Sequence, residues 1–525
     1  MEFWLNENRW QTVENVHARG HVCYNGIFYD SKGIAELFSS CKDFSSVVLI
    51  AKQLNGSFSV VVNHHDFNAL VVDETRLYPV FYTIKNKELH VSDEPLKLVS
   101  DDTKIDLNYQ NQYLQQGHVM PGFTLAENVF QVEPASIVSY NKGVVSKQLI
   151  WSYLIPESEI IRTTFEEAQN QFLKVLDNVF RRLIASVGSR QIVLPLSAGY
   201  DSRLIACQLY KLGYKNVICY TVGRNKNGEQ SIAKQVAQRL GFDFYHIDFE
   251  DPKYVMQKYD SEEFGDYVDY LGALGSFTYL FEYNAAKWLK SNGVINDDAV
   301  FVPGHSGDGI GGSLIMKLGI RKNATPLFST VSILMNLIEY GRPLLNWSFA
   351  CDVYSSLKGR FAKNSVPHSV IQSYTFDTRV VLSTTNSVRA YGFFGFETRL
   401  PFFDKEMMDF FRTLPYEFLY QKKLYDDTLF DFVFKPLGVD FGDKKLCVTH
   451  YKQWVKNFAK QMMPRVLRIK IRNNSEPLGE NFLTKEMLHY LVENGVIKND
   501  NDYLSTNEIM MLWYLQRVKK QLGDL

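Results

Sequence analysis

The chain has 525 residues, 57 basic against 58 acidic side chains and a formal net charge of −1 at pH 7, so no global field gathers nucleic acid or an anionic membrane surface. Hydrophobic residues make up 46% and charged ones 22%, the balance of a packed protein rather than a disordered one, and the length predicts two domains. The six cysteines (Cys23, Cys41, Cys207, Cys219, Cys351, Cys447) lie far apart with no CxxC pair, which argues against a disulfide framework or a zinc site and predicts reduced, mostly buried thiols. The opening MEFWLNENRW carries an acid at position 2, and no stretch reaches the ~18 uninterrupted apolar residues of a membrane helix. A cytoplasmic protein with no membrane and no nucleic-acid partner is expected.

In chain order, residues up to about Lys147 read as short alternating segments, such as Ser57 to Asn63 and Ala69 to Asp73, separated by NG, SKG, NK and NKG clusters. This predicts an antiparallel sheet domain over 1–150. From Thr164 the texture changes: FEEAQNQFLKVLDNVFRRLIASV has apolar residues at helical spacing behind a Thr cap with Glu three residues on, and a second domain, 164–525, begins there. QIVLPLSAGYDSRLIACQLYKLGYKNVICYTVG is then an apolar run, a small-residue turn, a helix and a second apolar run, a strand-helix-strand unit whose sheet is parallel. Ser231 to Leu240 gives a further helix and AVFVPGHSGDGIGGS a buried strand ending in a glycine-rich loop, so the domain is an α/β open sheet. Beyond Pro326 the chain is mainly helical, closing with STNEIMMLWYLQRVKKQL, capped by Ser505 or Thr506.

Ligands of an open parallel sheet sit beyond the carboxyl ends of its strands, so the turns after Leu196 and Pro303 are where chemistry is expected. In LPLSAGYDSR, Ala198 and Gly199 let the backbone turn, a helix points its N-terminus into the loop, and Ser197 and Ser202 add hydroxyls, a cradle suited to pyrophosphate. No GxxxxGK[ST] pattern occurs, which excludes the Walker loop. A small-residue strand-to-helix turn explains the hexapeptide alone equally well. The second loop contains GDGIGG, a match to GxGxxG, but the acid that a dinucleotide fold places about 20 residues on is missing between Ser313 and Ile338.

Ser197 to Ser202, SAGYDS, resembles the SGGxDS loop of the PP-loop ATP pyrophosphatases, with Ala198 in place of glycine. YTVGRNKNGEQSIAKQVAQRLGF resembles the adenine-gripping segment of the asparagine synthetase family, GHSGDGIGG its GxGSDExxGG loop, and GFETRLPFFDKEMMDFFRTLP its GxExRxPFLDxxxxxxxxxLP signature. Four motifs in family order from Ser197 to Pro415 are far more specific than any one of them. The resemblance implies a PP-loop (adenine nucleotide α-hydrolase-like) synthetase domain with a helical C-terminal part. It implies ATP as co-substrate, Mg²⁺ on Asp201 and Asp308, pyrophosphate contacts from Leu196, Ser197, Ala198, Gly199, Ser202, Gly304 and Gly307, and adenine neighbours Val222 and Gly223. A catalytic lysine is implied in GVDFGDKKLCV, where Lys445 is favoured over Lys444. Glu397, Arg399 and Asp404 are expected as buried scaffold groups, with Glu397 and Arg399 as a pair. Where the family commonly has Asp-Glu, this chain has Asp308-Gly309, so the acceptor pocket is expected to differ from that of aspartate.

The amino-terminal LNGSFSVVV, DETRLYPVFY and VSDEP resemble the LxGxFAF, RDRxGxxPLYY and xSExK elements of class II glutamine amidotransferases, which implies an Ntn-type β-rich domain. That glutaminase uses an N-terminal cysteine with its own α-amine as base. Here residue 2 is Glu2, Cys23 reads as a buried strand cysteine, and Asn25-Gly26 resembles the family's oxyanion-hole NG but comes too early. The implied activity is an AMP- and pyrophosphate-forming amide ligase that adenylates a small-molecule, peptide or sugar carboxylate and passes it to ammonia or an amine, without glutaminase activity. Intramolecular amide formation, as in β-lactam synthetases and lasso-peptide cyclases, stays open, as do a thiolating or hydrolysing PP-loop enzyme, a non-catalytic nucleotide-binding member and a homodimeric assembly.

Overall fold

The structure, a computed structural model, describes residues 1–141, 143–223, 228–248, 261–277, 281–317, 324–339, 346–363, 365–441, 478–498 and 504–524. Among the described residues the strands are β1 (Glu2–Trp4), β2 (Gln11–Val13), β3 (Val16–Tyr24), β4 (Ile27–Tyr29), β5 (Asn55–Asn63), β6 (Asn68–Val72), β7 (Phe81–Lys85), β8 (Glu88–Ser92), β9 (Phe130–Gln131), β10 (Ser136–Asn141), β11 (Val144–Leu149), β12 (Ile192–Pro195), β13 (Val217–Gly223), β14 (Asp243–Asp248), β15 (Val300–Phe301) and β16 (Glu397–Thr398). They form three sheets: β11-β10-β6-β5-β3-β2 with β4 on β3, β1-β8-β7-β9, and β14-β13-β12-β15-β16. The first two are antiparallel apart from β1, which runs parallel to β8. The third is parallel throughout, so the molecule is α/β with an antiparallel β-rich amino-terminal part.

The amino-terminal layers follow from the two-residue period of a strand. Val61, Leu70, Val72 and Val138 face the smaller sheet and pack with Val80, Tyr82 and Val91. Val60, Val62, Ala69, Val71 and Ile137 face the other way, against Ile34, Phe38, Val47 and Ala51 of the helices Ser31–Ser39 and Phe44–Gln53. Both faces of this sheet are therefore buried. Asn25 and Gly26 have φ of 50° and 78° and join β3 to β4 as a two-residue hairpin turn, which Asn-Gly favours because both positions need left-handed backbone.

The 23-residue helix Phe165–Val187 begins where expected, with Thr164 and Glu167 forming a reciprocal capping box. Its buried stripe of Phe172, Val175, Leu176, Val179, Phe180, Leu183 and Val187 has the spacing of one helical face. At the sheet's centre Ile192, Val193 and Leu194 are fully buried, as a strand covered on both faces must be. The run before the second glycine-rich loop forms only the two-residue β15, although Val302 N–H still bonds Val193 at 3.0 Å. The closing helix is Thr506–Gln521, capped by Ser505 with Glu508 completing the box. Arg517 grips Asp269 with two hydrogen bonds of 2.7 Å.

The scaffold groups depart in part from the sequence reading. Arg399 is buried and bonds Glu397 at 2.7 Å, but Glu397 is half exposed, because it also turns outward to Arg190. Asp404 pairs with a different partner: Arg182 donates two bonds of 2.8 Å to it. Asp404 also caps the helix Lys405–Arg412 and accepts from Asn55 of β5 at 3.1 Å, tying the amino-terminal sheet to the rest. Arg182→Ala leaves a largely buried carboxylate without its cation and is expected to lower unfolding stability by roughly 2–3 kcal/mol, with Arg182→Lys recovering part of it, as read from denaturant midpoints.

Three cysteines, Cys41, Cys207 and Cys219, are buried; Cys23 is only partly so and Cys351 is exposed on its helix, while Cys447 lies outside the described residues. Burial pushes the Cys207 thiol up to about 12, which suits a core residue and not a nucleophile. No described helix is long and apolar enough to cross a membrane.

Candidate functional site

β12 delivers the chain to a tight loop. Leu196 is buried, with its N–H on Tyr220 at 2.8 Å, and fixes where the loop begins. Ser202 Oγ accepts from Ser197 N–H at 3.0 Å and lies 3.0 Å from Ser197 Oγ, which itself accepts from Gly199 N–H at 3.1 Å. The helix Tyr200–Lys211 starts at Gly199, and among the described residues no side chain caps it, an arrangement that leaves first-turn amides for an anion. Ala198 has no left-handed φ, so alanine fits where the resembled loop has glycine. Arg203, buried behind the loop, donates to the Ala198 carbonyl at 2.6 Å and to that of Val439 at 3.0 Å.

The second loop, leaving β15, lies directly on the first. A Cβ at Gly304 would come within 2.8 Å of Ser202 N, and one at Gly307 within 2.7 Å of Asp201 Cγ and 2.8 Å of Tyr425 Oη. These glycines thus permit protein-protein contact between the loops. The result is that Asp201 and Asp308, from different strands, meet: Asp308 N–H donates to Asp201 Oδ2 at 2.8 Å, and Tyr425 O–H donates to Oδ1 at 2.8 Å. Burial, and then the Asp308 carboxylate, push Asp201 up to about 6. Two acids held together with one of them resisting ionisation form a donor set that fits a hard divalent cation.

Val222 and Gly223 end β13, the parallel neighbour of β12, on the same carboxyl edge. Among the described residues nothing lies within 4 Å of where a side chain on Gly223 would begin. Gly309 has room too: its nearest neighbour to an added Cβ is 3.9 Å away, so the missing carboxylate at this position is not a steric necessity. The GDGIGG segment runs into a wide, π-type helical turn, Gly309–Ser313, broken at Gly312, with Gly311 against Tyr425 and Gly312 against Leu419. Lys444 and Lys445 lie outside the described residues.

A third wall escaped the sequence reading. Gln421 and Lys422 both have left-handed backbone, with φ of 59° and 56°, and set up the helix Lys423–Leu429 that carries Tyr425 to Asp201. Lys422 bonds Asp426 at 2.8 Å, lies 5.7 Å from the centre of the Tyr200 ring, and its charge opposes the rise of the Asp201 pKa. Nothing in QKKLYDDTLF singles these residues out. They join the site through a chain reversal with no motif of its own.

No family model matches the chain, and no curated protein matches it. Among solved structures it is similar to the NH3-dependent NAD synthetase from Campylobacter jejuni subsp. jejuni NCTC 11168 in complex with the nitrate ion, at 14% identity over 39% of this chain and 95% of that one, with a TM-score of 0.21. It is also similar to the glutamine phosphoribosylpyrophosphate amidotransferase from B. subtilis complexed with ADP and GMP, at 8% identity over 56% and 63% of the two chains and a TM-score of 0.19. A structure of the allosteric regulatory enzyme of purine biosynthesis gives 11%, 47%, 63% and 0.19. The chain spans under two thirds of the latter two structures. At these TM-scores the functional reading rests on the site.

Proposed function

We propose that the chain is an ATP-dependent, AMP- and pyrophosphate-forming ligase of the asparagine synthetase type, which adenylates a carboxylate and transfers the acyl group to ammonia or an amine. The observation that carries this reading is the meeting of Asp201 and Asp308 beside the uncapped N-terminus of the helix Tyr200–Lys211. The amides of that first turn and the hydroxyls of Ser197 and Ser202 would bind the phosphates, and Arg203 holds the Ala198 carbonyl away from them. Asp201 and Asp308 would hold Mg²⁺, which when bound neutralises charge on pyrophosphate. Lys422 adds positive field from the third wall. Adenine is assigned to the open side of Gly223. Both chemical steps then depend on positioning and electrostatics rather than on a protein nucleophile.

Donor choice is read from the amino-terminal part. Asn25-Gly26 is spent on a hairpin turn, and Cys23 is a mid-chain residue in register with Phe28 and Asn55, so it has no α-amine to activate it. Free ammonia or a substrate amine is therefore proposed, with the carboxylate a small molecule, a peptide or a sugar acid.

Purified protein with ATP, Mg²⁺ and a panel of such carboxylates is expected to release AMP and pyrophosphate in equal amounts when ammonium or an amine is present, and not with glutamine. Equal turnover with glutamine would overturn the donor assignment. ADP and inorganic phosphate as products would overturn the adenylation chemistry.

A further inference from the structure

A second, strongly cationic cavity lies at the other end of the parallel sheet. Arg190 precedes β12 and Gly395, Phe396 and Glu397 lead into β16, so these residues mark the amino ends of the strands, opposite the loops that follow β12 and β15. They line a cavity of ≈ 630 Å³ closed on its other side by Arg9, Arg19, His21 and Tyr78 of the amino-terminal part. Five guanidiniums line it, from Arg9, Arg19, Arg190, Arg389 and Arg399, against the carboxylates of Asp30 and Glu397.

The carboxylates do not balance the arginines. Glu397 is held by Arg190 and Arg399 at 2.7 Å each, and Asp30 is turned to the backbone of Gly33 as a helix cap at 2.9 Å. Arg9, Arg19 and Arg389 have no carboxylate partner among the described residues; they gather instead around the two phenols Tyr270 and Tyr78, Arg19 also hydrogen-bonding the Tyr270 side chain. Arg9 and Arg389 lie 4.6 and 4.7 Å from the centre of the Tyr270 ring, and Arg19 sits 4.5 Å over Tyr78. Burial pushes the Tyr270 phenol up, but Arg19, Arg389 and Arg9 outweigh it and leave it below its ordinary value. Arg389 is 3% exposed, and although its other nitrogens reach the Tyr270 carbonyl at 2.8 Å and Asn386 Oδ1 at 2.8 Å, its buried Nε has no partner among the described residues. Like charges gathered on one cavity, one of them buried and two half-buried, are unfavourable without a counter-ion, and a cavity of this size beside them has room for the missing anion.

We propose that this cavity is a binding site for a small organic polyanion carrying two or more carboxylate or phosphate groups, distinct from the phosphate-loop site and bridging the amino-terminal sheet to the α/β part. Arg9 and Arg19 clamp the ligand from one side and Arg389 from the other. Binding therefore stabilises the contact between the two parts as well as the ligand.

Calorimetric titration of the full chain without Mg²⁺, with citrate as the carboxylate probe and inorganic pyrophosphate as the phosphate probe, tests it. At least one probe is expected to bind the wild type in an event that Arg19→Gln weakens at least ~10-fold, with Arg19→Lys intermediate. Which probe binds more tightly identifies the anionic group. Arg9→Gln serves in place of Arg19→Gln if the latter melts well below the wild type. No binding of either probe, or binding that the arginine variants leave intact, would overturn the proposal.

Discussion

Asp201→Asn is expected to lower pyrophosphate release by ~10²–10³-fold or more while making the ligand-free protein more stable. The two effects have one cause. Burial and the neighbouring Asp308 raise the Asp201 carboxyl from its ordinary value to about 6, so the folded state resists the charge that the unfolded chain carries freely. For a carboxyl raised in the folded state, the native protein binds the extra proton. The cost is absent below about pH 4, grows as pH rises towards 6 and is constant above that, where a shift of two units corresponds to roughly 2–3 kcal/mol. Asparagine removes the charge while its carbonyl can still accept from the Asp308 N–H and its amide can donate to the Tyr425 hydroxyl oxygen, reversing that bond. Thermal unfolding without nucleotide should therefore show Asp201→Asn melting above the wild type at pH 7.5 and level with it near pH 4. Buried Asp73, raised to about 8, lowers stability with rising pH in both proteins and cancels in the difference. A variant that keeps its activity, or that melts lower at pH 7.5, would refute the assignment of Asp201 to a built cation and phosphate site.

Gly312→Ala is expected to destabilise the protein by about 3 kcal/mol or more and to remove activity with it. Gly312 has φ of 115°, and an added Cβ would lie 2.0 Å from the Leu419 carbonyl oxygen. No rotamer change relieves a backbone clash, so either the turn Gly309–Ser313 or the segment around Leu419 must move, and each is a wall of the site. Gly309→Ala is the control: its Cβ meets nothing closer than 3.9 Å, and a cost under about 1 kcal/mol is expected, the helix preference of alanine offsetting some of it. Chemical denaturation of both variants separates them. Equal costs would mean that the second loop is not pressed against Leu419 as described.

The local elements were legible because local rules governed them. The capping boxes at Thr164 and Ser505, the apolar stripe of Phe172 to Val187 and the strand-turn-helix around Ser197 are set by residues a few positions apart. The α/β class followed from the same runs, since an uninterrupted apolar strand such as Ile192 to Leu194 must be covered on both faces. Motif order placed Asp201 and Asp308 in candidate loops but could not say how the loops touch.

What only the tertiary structure decided are the relations between segments distant in sequence. Gly304 and Gly307 read as pyrophosphate contacts, yet with Gly312 they lie against other parts of the protein, Ser202, Asp201 with Tyr425, and Leu419, in contacts that the motifs do not specify. The pairing of Asp404 with Arg182 instead of a neighbour in its own signature was likewise invisible. So was the gathering of Arg9, Arg19 and Arg389 around Tyr270, because no two of these four residues belong to one motif. Periodicity and capping are physics of neighbours along the chain. Close approach, desolvation and charge imbalance are physics of neighbours in space, and those exist only once the chain has folded.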